Sequence, residues 1–132
     1  MAEISKMFKI MLIIDAIVAF VYGILYFFLP DVVYSLNDAP FYDPHFWRLF
    51  GGAILSLGFG SIFSLLMKEW DKIKIFILTT IIFLIIIAVG NISSALYTTR
   101  SITNLGFHWL DTILIIVLIV LNGFFFIRED KK

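Results

Sequence analysis

The chain has 132 residues, 61% hydrophobic and 15% charged, with ten basic and ten acidic side chains. Concentrated into four long apolar runs, that composition excludes a secreted soluble protein and leaves no length for a soluble domain beside the runs. The absence of cysteine excludes disulfides, thiol catalysis and thiolate metal sites, and the lack of a basic tract excludes nucleic acid as a partner.

The first run, residues 7–29, is expected to be a retained membrane-spanning helix, because about 20 residues at about 1.5 Å rise cross a hydrocarbon core of about 30 Å. Pro30 stops it. The outer connector, 30–45, carries Asn37, Asp38, Pro40 and Pro44 and reads as a loop with one amphipathic turn at 32–36. The second span, 46–67, is followed by an inner connector, 68–72, so short that spans two and three are expected to be adjacent antiparallel helices. The third span covers 73–97, the second outer connector 98–106 and the fourth span 107–127. The predicted fold is all-α: one polytopic domain over 1–132, a four-transmembrane-helix bundle embedded in the lipid bilayer.

Charge orients the bundle. Lys6, Lys9, Lys68, Lys72, Lys74, Arg128, Lys131 and Lys132 share one side, leaving Arg48 and Arg100 on the other with Asp31, Asp38 and Asp43. By the positive-inside rule both termini are cytoplasmic in a multi-pass protein of the cell membrane. Phe41, Tyr42, Phe46, Trp47 and Trp109 suit the outer interface, and Trp70 the inner one.

Strongly polar residues interrupt the runs, and each is costly in hydrocarbon. Asp15 lies six residues from Lys9, Thr80 six from Lys74 and Asn122 six from Arg128, so all three are expected at one depth, about 9 Å in. Tyr26, Asn91 and Asp111 lie eleven residues further along the same helices, three turns away and on nearly the same face, about 16 Å higher. The pattern predicts an inner polar layer of Asp15, Thr80 and Asn122, and an outer one of Tyr26, Asn91, Asp111 and nearby Arg48. Tyr22 is placed to join the layers by hydrogen bonding. An ion pair between Arg48 and Asp111 is the expected outer contact. Span two contributes a small-residue ridge, Gly52, Ser56, Gly60 and Ser64, which allows close helix approach.

Asp15 reads in two ways: as a site for a proton or cation, or as helix glue satisfied by Asn122, Thr80 and Ser61 or Ser64. His45 and His108 are expected at the outer interface. With Asp111 they are weak candidates for metal or bis-histidine haem ligation, but no metal-binding spacing is present. No nucleophile with a base, phosphate loop or carboxylate dyad is visible, so no catalytic residue is assigned and no cofactor is named.

The stretch Asp43-Pro44-His45-Phe46-Trp47-Arg48-Leu49-Phe50-Gly51-Gly52-Ala53-Ile54-Leu55-Ser56-Leu57-Gly58 resembles the opening of the second span in small four-helix membrane proteins of bacteria and archaea. These are the DoxX-like and domain-of-unknown-function families. Asn104-Leu105-Gly106-Phe107-His108-Trp109 resembles the start of their fourth span. The resemblance implies a four-helix bundle over nearly the whole chain and transfers no functional residue. An acid in the first of four short spans is also similar to the small multidrug resistance transporters, although theirs is a glutamate. The charge bias here opposes their antiparallel dual topology.

The leading expectation is a non-enzymatic bundle that binds a lipid-like ligand or a membrane-protein partner. A second is a proton- or cation-coupled transporter subunit centred on Asp15, acting as a homodimer because four helices make a thin pathway. A third is a metal, haem or redox protein using His45, His108 and Asp111.

Overall fold

The computed structural model describes residues 3–37, 43–97 and 102–131. Among the described residues the chain forms five helices: α1 (Lys6–Phe28), α2 (Pro30–Asn37), α3 (Pro44–Met67), α4 (Trp70–Tyr97) and α5 (Ile102–Asp130). Helices α1, α3, α4 and α5 are long and apolar enough to cross a membrane, and the protein is an all-α, multi-pass membrane bundle. Asp38, Pro40, Phe41, Tyr42 and Arg100 lie outside the described residues, as does the 98–101 part of the second outer connector.

Local chemistry sets the helix ends. Ser5 caps α1, its Oγ accepting from Phe8 N at 3.3 Å. Asp43 caps α3, with Oδ1 accepting from His45 N at 2.9 Å and Pro44 supplying a preset φ at the first turn. Lys68 ends α3 in the left-handed region at φ 58° and donates its N–H to Ser64 O. The described first half of the outer connector, 30–37, is the helix α2 rather than a loop with a single turn. Leu29 O accepts from Val32 N and Val33 N, so the chain turns at Pro30 into α2 rather than unwinding.

The bundle consists of two tight pairs, α1 with α3 and α4 with α5, which touch each other lightly. Spans two and three, α3 and α4, are adjacent as expected, but each packs more closely against another helix. Glycines explain the choice of partner: a Cβ on Gly51 would lie 2.6 Å from Phe27 N, and one on Gly23 2.6 Å from Leu55 Cγ. Helices α1 and α3 therefore approach at backbone distance. Between α3 and α4 rings intervene instead, with Phe76 over Gly60 and Phe50 stacked with Phe83 at 6.5 Å.

Both termini and the α3–α4 turn meet at one end, the terminal end of the bundle. There Ile4, Phe8, Met11, Leu12, Trp70, Ile73, Ile77 and Phe125 form the buried core. Trp70, expected at an interface, is buried within it and donates Nε1–H to Asp130 Oδ1 at 3.1 Å. Glu129 is buried and accepts from Ser5 N at 3.1 Å and Ser5 Oγ at 2.6 Å, which locks the end of α5 to the start of α1. Ile4 N donates to Lys68 O, completing the closure of this end.

Candidate functional site

Because each pair packs tightly and the pairs meet loosely, a cavity of about 110 Å³ remains between them, lined by all four spanning helices. Its walls are mainly apolar, including Ile54, Leu57, Leu84 and Leu114 with the rings of Phe50 and Phe83. Polar groups gather toward its two ends. Asp15, Ser61 and Thr80 line the part nearer the termini, and Tyr26, Asn91 and Asp111 line the opposite part. On α1 the separation from Asp15 to Tyr26 is about 16 Å by helical rise.

At the terminal pole Asp15, Thr80, Ser61 and Asn122 are all buried, one from each spanning helix. Asn122 donates Nδ2–H to Asp15 Oδ1 at 3.1 Å and to Leu118 O at 3.0 Å, which uses both amide hydrogens. Asp15 Oδ2 and Asn122 Oδ1 are buried without a hydrogen-bond partner. Thr80 and Ser61 donate their hydroxyls down their own helices, to Phe76 O at 3.0 Å and Leu57 O at 3.1 Å. Asn122 reaches the cavity wall through its hydrogen bond to Asp15 and is not itself one of the lining residues.

At the opposite pole Tyr22 donates its hydroxyl to Asp111 Oδ1 at 2.7 Å, tying α1 to α5. The expected Arg48–Asp111 pair does not form: Arg48 is exposed near the start of α3, and no ion pair among the described residues involves it. A long guanidinium near a helix end is better solvated outside the bundle, and the Tyr22 phenol already satisfies the carboxylate. Tyr22 stacks on Tyr26, whose ring also meets Phe50 at 5.3 Å and Trp47 at 5.5 Å.

The ridge of Gly52, Ser56, Gly60 and Ser64 is divided. Ser56 is exposed and bonds to Gly52 O, while a Cβ on Gly52 would meet nothing nearer than 3.9 Å. The close approach to α1 falls at Gly51 and Gly58 instead. Gly60 faces α4 beneath Phe76, and Ser64 is buried.

His108, near the outer start of the fourth span, is buried between helices, and its Nε2 lies 2.7 Å from Asn91 O across the α4–α5 seam. His45 is exposed at the start of α3. Among the described residues no group of three or more His, Asp or Glu side chains is placed to hold a metal. The sequence reading missed the ring walls, Phe50 and Phe83, because phenylalanine is abundant in every span and spacing alone does not select two. It also missed the Ser5–Glu129 lock, whose one sequence signal is a serine three residues before the first buried aromatic.

Comparison with protein-family models, curated proteins and solved structures finds no match to this chain.

Proposed function

We propose that the protein is a non-enzymatic membrane bundle that receives part of a lipid-like ligand in the cavity between its two helix pairs. The supporting observation is that cavity: four-helix walls, apolar in the middle, with a carboxylate toward each end, buried Asp15 and half-buried Asp111. Its volume limits the occupant. A cavity of about 150 Å³ holds one benzene ring, whereas drug-sized ligands take about 300 Å³ or more. About 110 Å³ therefore suits one ring or a short alkyl segment, with the rest of an amphiphile outside. The charge bias supports a cytoplasmic location for the terminal end.

The test is thermal unfolding of detergent-purified protein against fatty alcohols, fatty amines and fatty acids. Saturable stabilisation by at least one class is expected, and its loss in Leu114→Trp, which fills the wall. Stabilisation by none, or equal stabilisation of wild type and Leu114→Trp, contradicts the reading.

One observation favours a second reading, a proton- or cation-coupled transporter subunit. The unpartnered oxygens of Asp15 and Asn122 sit at the terminal pole, where an exchanging proton or cation would satisfy them. In proteoliposomes this reading expects pH-driven amphiphile flux that Asp15→Asn abolishes without loss of expression; flux unchanged in that variant contradicts it.

A further inference from the structure

The donor and acceptor balance of the terminal pole is one-sided. Each donor hydrogen of Asn122, Thr80 and Ser61 is used within the protein, so the capacity left in the pole is acceptor capacity. Four oxygens carry it: Asp15 Oδ2, Asn122 Oδ1, Thr80 Oγ1 and Ser61 Oγ. The orientation of Asn122 is fixed by chemistry, since reversing the amide would set its oxygen against both Leu118 O and Asp15 Oδ1.

An acceptor-only cluster calls for a donor or a cation. Asp15 and Asn122 are both more than nine-tenths buried, and each has an oxygen without a partner. Leaving those oxygens unmatched in a low-dielectric interior is costly. A carboxylate, an amide oxygen and two hydroxyl oxygens form a hard donor set, which suits alkali and alkaline-earth ions and disfavours transition metals. Charge decides between the first two. Asp15 is the one ionisable group of the four and takes part in no ion pair among the described residues. A monovalent cation would leave the pole neutral, whereas a divalent one would leave an uncompensated positive charge in the membrane.

We infer that Asp15, Asn122, Thr80 and Ser61 form a binding site for a small alkali-metal cation such as Na⁺ or Li⁺. The inference rests on the second reading above and names the ion of that same site. Each spanning helix contributes one residue, so an ion bound there would draw the two helix pairs together at the terminal pole. The cavity continues from the site toward Tyr22 and Asp111, and the buried core of Phe8, Leu12, Trp70 and Ile77 fills the terminal end.

The test is thermal unfolding of detergent-purified protein in NaCl, LiCl or choline chloride at equal ionic strength, near neutral pH and again about two units lower. Na⁺ or Li⁺ is expected to raise the unfolding temperature saturably where choline does not. Thr80→Val, which keeps the side-chain shape, is expected to weaken the apparent affinity by about tenfold or more. Asp15→Asn is expected to abolish the effect; if that variant does not fold, Thr80→Val and Ser61→Ala carry the test. Equal responses to all three salts overturn the inference, as does an undiminished Na⁺ or Li⁺ response in Thr80→Val. If the salts are equivalent while pH-driven flux persists and depends on Asp15, a proton alone uses the site and the second reading stands. If that flux is also absent, both fall.

Discussion

Asn122 donates a side-chain hydrogen bond to Asp15 Oδ1 across 3.1 Å, joining the fourth spanning helix to the first through two buried polar groups. The bond satisfies half of each partner. Asn122→Leu would leave the carboxylate without its amide donor, and a buried group orphaned in this way costs about 1–3 kcal/mol. The expected outcome is a lowered unfolding temperature in detergent. The double variant Asp15→Leu, Asn122→Leu is expected to recover most of it, because two apolar groups replace a half-satisfied polar pair. Failure of the double variant to recover would show that the pair stabilises the bundle on balance.

Glycine substitutions separate contact from exposure. A Cβ on Gly51 meets α1 backbone at 2.6 Å, whereas one on Gly123 or Gly90 meets nothing within 4 Å. Gly51→Ala is expected to destabilise by about 1–3 kcal/mol through overpacking. Gly123→Ala is expected to be neutral or slightly stabilising, as alanine favours a helix. Unfolding curves of the two variants side by side check the α1–α3 packing, and equal stability would contradict it.

The lock at the terminal end is a separate element. Ser5 donates both N–H and Oγ–H to buried Glu129 and also caps α1. Ser5→Ala is expected to cost about 1–2 kcal/mol, combining a lost cap with a lost bond to a charged acceptor. Hydrogen exchange should rise in the first turn of α1 and the last turn of α5 together. A rise confined to α1 would reduce the contact to a cap alone.

The histidines differ in accessibility. His45 is exposed, and His108 is 4% exposed and held at Asn91 O. Diethyl pyrocarbonate is expected to modify His45 in folded protein and His108 after denaturation, as read by peptide mass mapping. Early modification of His108 would contradict the seam between α4 and α5.

The spans, and the gathering of Asp15, Thr80 and Asn122 toward one end of the bundle, were legible because bilayer thickness sets helix length and basic residues mark where spans begin. Counting from Lys9, Lys74 and Arg128 therefore placed Asp15, Thr80 and Asn122 at one level. Pairing was less legible. A short connector at Lys68 made spans two and three neighbours, which they are, yet connector length limits only how far apart two helix ends lie and does not choose the tightest partner. Partner choice depends on which face carries glycine: Gly51 and Gly58 are on the face toward α1, one position round from Gly52. The fate of Arg48 was hidden for a related reason, since a long flexible side chain at a helix end can reach inward or outward and sequence spacing does not choose.

The central claim is that the space between the helix pairs takes part of an amphiphile. Native mass spectrometry of the protein released from mild detergent, wild type beside Leu114→Trp, tests it most directly. The expected spectrum shows a discrete lipid-like adduct on the wild type that is depleted in the filled variant at unchanged stoichiometry. An identical adduct pattern in both proteins, or no adduct on the wild type, would contradict the claim.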